Sequence, residues 1–127
     1  MEKMIHSINW FEIPVLNFER AKQFYSHIYD YEMHETTINT ERMGFLPTDP
    51  DLNGIGGAIV QGAGYLPTSL GVKVYLNGGN DLQNILNHVV EAGGNIITPK
   101  TLINEKHGYF AVFEDTEGNH ISLHSMK

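Results

Sequence analysis

An α+β fold made of two βαβββ modules is predicted for this chain of 127 residues. Two observations support the prediction. The order strand, helix, strand, strand, strand occurs twice, and residues 62–71, "GAGYLPTSLG", separate the halves with the Gly and Pro content of a connector. An internal duplication of about sixty residues is too long for a solenoid repeat and suits two supersecondary units. The sequence therefore predicts a single domain over residues 1–127, composed of modules at about 1–62 and 70–127.

The first strand is predicted over residues 7–15, "SINWFEIPV", where β-branched and aromatic residues alternate with polar ones. The alternation places Trp10 and Glu12 together on one face of the strand. The apolar residues of the opposite face, which are expected in the core, are Phe11, Ile13 and Val15.

A helix is predicted next, because Asn17 is a good N-cap and the apolar residues after it recur at helical spacing. Three further strands are predicted in "EMHETTIN", "RMGFLP" and "IGGAIVQG", with a Pro-, Asp- and Gly-rich loop before the last of them. The expected buried stripe of the helix consists of Phe18, Ala21, Phe24, Tyr25 and Ile28.

The second module repeats this order. Residues 72–76, "VKVYL", predict a strand with Val72, Val74 and Leu76 in the core and with Lys73 and Tyr75 on the other face. A helix follows within "LQNILNHVVEAGG", and the last three strands lie in "NIITPK", "YFAVFED" and "HISLHSM". The apolar stripe of this second helix consists of Leu82, Ile85, Leu86 and Val89.

Composition excludes several functional classes. The chain has no cysteine, which rules out disulfides, a thiolate nucleophile and Cys-ligated metal centres. Its formal net charge is −7 with only eight Lys and Arg residues, so no basic surface is available for nucleic acid. No apolar run approaches the roughly 20 residues needed to span a bilayer. The sequence therefore predicts a cytoplasmic protein that binds neither nucleic acid nor membrane.

Three segments carry a family resemblance: "INWFEIPVLNFERAKQFY", "GVKVYL…AGGNIITPKT" and "GYFAVFEDTEGNHISLHS". They resemble the glyoxalase / bleomycin-resistance / dioxygenase superfamily, also called vicinal oxygen chelate proteins, and the likeness covers essentially the whole chain. The resemblance implies that the two mixed sheets are curved and enclose a cleft. It does not specify a reaction, since the superfamily contains isomerases, lyases, dioxygenases and non-catalytic drug-binding proteins.

Metal-dependent members of that superfamily carry four His, Gln or Glu ligands, on the first and last strands of each module. Carried over to this sequence, these positions fall at Trp10, Ser122, either Gly71 or Lys73, and Gln61 at the extreme end of its strand. Tryptophan has no metal-binding atom, a serine hydroxyl is a poor neutral ligand and lysine is cationic. The sequence therefore predicts no cofactor, and in particular no divalent metal, in the cleft.

Two side chains on the first strand are candidates for the cleft. Trp10 could be a stacking wall for a flat ligand, or it could fill the space that a metal and substrate occupy elsewhere. Glu12 could anchor a cationic ligand or act as a base if it is buried. Alternatively, it forms a salt bridge to Lys73 across the cleft.

His120 and His124 lie on the predicted last strand, where they share a face with Ser122. At a rise of about 3.3 Å per residue the two histidines are about 13 Å apart, too far to chelate one ion. They are expected to line the cleft, with general acid or base catalysis as the alternative. His27 and His88 belong to no constellation in the sequence and are expected at the surface.

Two functions are therefore predicted. The first is a metal-free protein that binds a small cationic or aromatic molecule. The alternative is a lyase or isomerase related to lactoylglutathione lyase, with Glu12 or a cleft histidine as base. It would work with or without a metal held by non-standard ligands such as His120, His124 or Gln61. A homodimer is expected in either case. The predicted ligand-binding residues are Trp10, Glu12, Lys73, Tyr75, His120, Ser122 and His124.

Overall fold

The computed structural model of the protein describes residues 1–127. It consists of two four-stranded mixed sheets, one from each half of the chain, and few helices. The elements of the first half are β1 (Phe11–Pro14), α1 (Phe18–Tyr29), β2 (Glu35–Ile38), β3 (Glu41–Phe45), a short 3₁₀ helix (Pro50–Leu52) and β4 (Gly57–Gln61). Those of the second half are β5 (Tyr75–Asn77), α2 (Gln83–Leu86), β6 (Asn95–Asn104), β7 (Gly108–Glu114) and β8 (His120–Ser125).

The two sheets have the same topology. Their strand orders are β1-β4-β3-β2 and β5-β8-β7-β6. In each sheet the first and last strands of the module pair in parallel, and the remaining neighbours pair antiparallel. The α+β fold with two βαβββ units, as predicted from the sequence, is confirmed.

The first helix forms as predicted. The Asn17 side chain accepts a hydrogen bond from the backbone N–H of Arg20 at 3.1 Å and so caps the first turn. The helix ends at Asp30, which adopts a left-handed conformation. All five residues of the predicted apolar stripe are buried, namely Phe18, Ala21, Phe24, Tyr25 and Ile28.

Both first strands are shorter than predicted. β1 begins at Phe11, where pairing with Gly57 begins, so residues 7–10 lie outside the sheet. β5 begins only at Tyr75, and the expectation that Val72 enters the core is wrong, since its side chain is 95% exposed. Gly71, which directly precedes Val72, has a φ of +104° and turns the chain away from the sheet.

The second predicted helix is also shorter than its apolar pattern indicates. Regular α-helix is confined to α2, and the chain continues in turns to Gly93. These turns use bonds between residues three apart, such as His88 N–H to Ile85 C=O at 3.0 Å. They still bury the predicted stripe of Leu82, Ile85, Leu86 and Val89.

One hydrophobic core of 19 buried residues draws on both halves of the chain. It contains the stripes of α1 and of the α2 segment, together with the side chains that both sheets turn towards them. Ile121 and Leu123 of β8 lie in this core, as the alternation predicts. A second, smaller cluster of Met43, Ala58 and Val60 lies apart from it. No helix of the chain is long and apolar enough to cross a membrane.

The turn between β7 and β8, residues 115–119, fastens the second module to the first. Asp115 accepts hydrogen bonds from the Tyr25 hydroxyl at 2.7 Å and from the Asn119 side-chain amide at 3.0 Å. The same amide of Asn119 donates to the Pro14 carbonyl at 2.8 Å. Burial raises the pKa of Asp115 even though its hydrogen-bond partners act in the opposite direction.

Glu117 of the same turn caps α1 from the other module. One of its carboxylate oxygens accepts from the backbone N–H groups of Leu16 and Asn17 at 2.9 and 2.7 Å, and the other accepts from Arg20 Nε at 2.7 Å. Burial favours protonation of this carboxyl, but Arg20 and the two N–H groups outweigh it and lower the Glu117 pKa. The helix N-terminus is thereby stabilised by a negative charge.

Glu117→Gln is expected to lower the free energy of unfolding at pH 7 by about 1–2 kcal/mol, because the amide keeps an acceptor but loses the charge. Since the pKa is lowered in the folded state, this stabilisation is present above the unfolded-state pKa. It is lost as the pH falls through the folded-state value. Urea unfolding at a series of pH values should therefore give wild-type and variant stabilities that converge in acid. A constant difference would contradict the assignment, and Glu2→Gln at the exposed N-terminus serves as control.

Candidate ligand-binding cleft

The face of the first sheet opposite α1 is largely apolar, and its carboxylates are Glu12 on β1 and Glu41 at the start of β3. Residues paired in register point to the same side of a sheet, so Glu12 of β1 lies beside Ala58 of β4, which lies beside Phe45 of β3. The next row contains Val60 and Met43 in the same way. Tyr65, from the connector after β4, packs against this cluster. This surface is called the first-sheet face below.

Glu12 is held between two aromatic side chains. The Tyr65 hydroxyl donates to its Oε1 at 2.8 Å, and Trp10 Nε1 donates to its Oε2 at 3.3 Å. The bond to Glu12 raises the pKa of Tyr65. The expected salt bridge from Glu12 to Lys73 is absent from the ion pairs of the chain, because the carboxylate is directed to these two donors instead.

Trp10 stands at the edge of the first-sheet face. Its ring lies edge-on to Phe45, with centroids 6.1 Å apart and an interplanar angle of 65°. A Cβ atom at Gly56 would lie 3.2 Å from Trp10 Cζ3, so a side chain there would crowd the indole. The indole is supported by its neighbours but remains 42% exposed, which leaves it accessible to a ligand.

The second sheet carries the predicted histidines on its own open face. His120 Nε2 lies 3.3 Å from Glu114 Oε2 on β7, and His124 Nε2 lies 2.6 Å from the backbone oxygen of His107. Ser122, between the two histidines, is only 4% exposed and pairs in register with Tyr75 of β5. The strand geometry therefore keeps the two histidines apart, as the sequence predicts.

Two cavities lie between the sheets. The smaller one, of about 80 Å³, brings together Glu12, Lys73 and His120 of the predicted set. The larger one, of about 360 Å³, contains Lys73 and Tyr75. It is mainly apolar, and its further lining includes Ile8, Phe11, Tyr29, Leu46, Pro47 and Ile55. Only the larger cavity approaches the few hundred Å³ that enclose a drug-sized ligand.

The residues at the superfamily's metal positions do not fit a divalent ion. Gln61, the only one of them with a usable ligand atom, turns its Oε1 to the backbone N–H of Phe18 at 2.7 Å and so serves the start of α1. Trp10 donates its only polar hydrogen to Glu12, Ser122 is buried and Lys73 carries a positive charge. We therefore derive no metal chemistry for the cleft.

Several relevant residues are missed by sequence analysis. Tyr65 and Phe45 complete the first-sheet face, and the apolar alternation of β3 could have indicated Phe45. His27 and His88 lie at the surface as expected, but the expectation that they belong to no cluster is wrong, because both contact Glu91 on the helix side of the molecule. The spacing of three residues between His88 and Glu91 is a weak local signal for that cluster.

No protein-family model matches the chain, and no curated protein matches it in sequence. Solved structures do match over nearly its full length. A glyoxalase/bleomycin resistance protein from Streptomyces sp. CB03234 is 22% identical with a TM-score of 0.66, covering 91% of this chain and 97% of that one. TnmS3, an antibiotic binding protein from the same organism, is 21% identical with a TM-score of 0.65, covering 98% of both chains.

A variant of the fosfomycin resistance protein FosX from Listeria monocytogenes, in complex with Mn(II), is 14% identical. Its TM-score is 0.60, and the match covers 98% of this chain and 93% of that one. At these identities the likeness concerns the fold. The chain has the fold of the glyoxalase/bleomycin-resistance/dioxygenase proteins, and the resemblance predicted from its sequence is confirmed at that level.

Proposed function

We propose that this protein is a glyoxalase/bleomycin-resistance-like binding protein that captures a small aromatic cation on its first-sheet face without a metal. The observation that carries the proposal is the position of Glu12. Its carboxylate is oriented by Tyr65 and Trp10 at the border of an apolar surface. An aromatic ring can stack on Trp10, while its positive charge lies against the carboxylate.

The surroundings of Glu12 favour a cation over an anion. Lys73 is not paired with Glu12, and the two hydrogen bonds from Tyr65 and Trp10 leave further lone pairs of the carboxylate free. The formal net charge of −7 would attract cations to the molecule as a whole. Phe45 and Tyr65, which are both partly exposed, provide the apolar area against which an aromatic ligand can pack, whereas Met43 and Val60 are buried beneath it.

Two further facts support binding without a metal. The residues at the four superfamily ligand positions are unsuited to a divalent ion. The one group of three His, Asp or Glu side chains whose ligand atoms converge, His27, His88 and Glu91, lies on α1 and the α2 segment rather than in the cleft. TnmS3, with the same fold, is described as an antibiotic binding protein, which makes capture of a small molecule a known use of this architecture.

Glu12→Gln should weaken the binding of N-methylacridinium by roughly tenfold, because the amide keeps the hydrogen-bonding shape but removes the charge. Binding of acridine, the uncharged analogue at pH 7, should change little. Isothermal titration calorimetry on both proteins measures the two affinities. Glu105→Gln, at an exposed carboxylate in the turn between β6 and β7, is the matched control. Equal affinities of wild type and Glu12→Gln for the cation would remove Glu12 from the site.

An enzyme is the second candidate, and the pair formed by His120 and Glu114 favours it. The 3.3 Å contact would let the carboxylate orient the imidazole, and His120 lines the same small cavity as Glu12. Glu12 itself is exposed and lacks the burial that the base interpretation requires. A lyase would convert the hemithioacetal of methylglyoxal and glutathione, and His120→Ala would abolish that turnover. If the protein only binds its ligand, neither the wild type nor the variant converts this substrate.

The homodimer expected from the sequence stays a prediction. The connector and the residue that follows it offer apolar surface for such a contact, since Leu66, Leu70 and Val72 are all exposed.

A further inference from the structure

We propose that His27, His88 and Glu91 form a binding site for a divalent transition-metal ion, zinc in the first place, on the helix side of the molecule. The site lies outside the cleft and is independent of the proposed ligand binding. His27 comes from the last turn of α1, whereas His88 and Glu91 come from the turns after α2. The ion would therefore join the two halves of the chain.

Both imidazoles already contact one common point, which is the Oε1 atom of Glu91. His27 Nε2 lies 2.8 Å and His88 Nδ1 lies 2.5 Å from the same oxygen, Glu91 Oε1. The three ligand atoms all lie within 4.8 Å of one another. The imidazole rings stand nearly perpendicular, with centroids 5.4 Å apart, so each can direct a nitrogen to the common point without stacking on the other.

Two imidazoles and a carboxylate are a donor set that zinc uses, with a water in the fourth position. At bond lengths of about 2.0–2.2 Å, tetrahedral ligand atoms lie roughly 3.4 Å apart. Glu91 Oε1 would therefore withdraw by less than about 1 Å from each nitrogen. All three side chains are about half exposed and free to make this adjustment.

The backbone around the cluster is firmly placed, although the side chains are not buried. Val89, between His88 and Glu91, is fully buried in the core and anchors that turn. The Ala92 N–H donates to the His88 carbonyl at 3.1 Å, so both ligands lie on one closed turn. His27 lies at the C-terminal end of α1, where the helix dipole favours a cation.

Calorimetric titration of chelator-stripped full-length protein with zinc chloride tests the site. One zinc per chain is expected, and His27→Ala and His88→Ala should each weaken binding by roughly tenfold or more. His34→Ala, at an exposed histidine outside the cluster, and His120→Ala, in the cleft, should bind zinc as the wild type does. Zinc should also raise the melting temperature of the wild type but not of His88→Ala.

Three results would overturn the proposal: no zinc binding, wild-type affinity in both His27→Ala and His88→Ala, or loss of binding in His120→Ala. If an alanine variant does not fold without zinc, the corresponding glutamine variant replaces it, since both side chains are half exposed. Sedimentation equilibrium with and without zinc completes the test. An unchanged mass is expected, and a zinc-dependent dimer would mean that the ligands are shared between chains.

Discussion

Replacement of Asp115 with alanine is expected to lower the free energy of unfolding by about 3–5 kcal/mol, because it orphans several buried donors at once. Asp115 is only 3% exposed, and its carboxylate accepts four hydrogen bonds. The donors are the Tyr25 hydroxyl at 2.7 Å, the side-chain amide of Asn119 at 3.0 Å, and the backbone N–H groups of Glu117 and Asn119 at 2.8 and 2.9 Å. Each buried donor left without an acceptor costs about 1–3 kcal/mol.

A double-mutant cycle with Tyr25→Phe distinguishes this cause from general damage. Tyr25→Phe alone should cost only about 1 kcal/mol, because it removes the donor together with its need for a partner. In the Asp115→Ala background the same substitution should be neutral or stabilising, since no orphaned hydroxyl remains. Urea unfolding of the four proteins measures the cycle. A loss of less than 1 kcal/mol for Asp115→Ala would contradict the role given to this turn.

The turn that contains Asp115 also positions segments that border the cleft. Asn119, held by Asp115, donates to Pro14 at the end of β1, and its Oδ1 accepts from the backbone N–H of Thr68 at 3.0 Å. The turn therefore fixes the connector and the first strand relative to the second sheet. The residues of "EDTEGN", which precede the predicted last strand in the sequence, therefore hold the two modules together.

Replacement of Trp10 with alanine is expected to weaken binding of N-methylacridinium by roughly 30-fold, about 2 kcal/mol, because an accessible aromatic platform is lost. The indole is supported by Phe45 and by the close approach of Gly56, and it presents 42% of its surface. Trp10→Phe keeps an aromatic ring at the same place and should lose much less. Isothermal titration calorimetry compares the three proteins without relying on tryptophan emission.

The same experiment separates the two interpretations of Trp10 that the sequence leaves open. If the indole fills the site as a plug, Trp10→Ala would open space and bind the ligand more tightly than the wild type. If it is a wall of the site, binding weakens. Unchanged affinity would place the ligand elsewhere, and the mainly apolar cavity of about 360 Å³ around Tyr75 would then be the next place to examine.

Local periodicity explains what could be predicted from the sequence. The stripe from Phe18 to Ile28 is buried as expected, because an amphipathic helix on a sheet leaves its apolar side no other position. Alternation likewise places Ile121 and Leu123 in the core and His120 and His124 on the other face. Helical periodicity and strand alternation depend only on residues that are close together in the sequence.

Partners distant in sequence account for most of what could not be predicted. Glu12 is directed to Tyr65 rather than to Lys73, and that choice depends on where the connector places a tyrosine 53 residues away. The meeting of His27 with His88 depends on how α1 packs beside the α2 segment. Val72 lies outside the core because the backbone turns at Gly71. The hydrophobic pattern of the sequence gives no sign of that turn.

The most direct test of metal-free ligand capture uses Trp10, which is the single tryptophan of the chain, as its own reporter. Chelator-treated wild-type protein is titrated with N-methylacridinium at pH 7 while indole fluorescence is followed, with N-acetyltryptophanamide as the control for absorption by the dye. If the cleft captures its ligand without a metal, we expect saturable quenching at one site, with the same midpoint after addition of zinc or manganese, and weaker quenching by acridine. Quenching no stronger than that of the control, or saturation only in the presence of a divalent ion, would contradict metal-free capture.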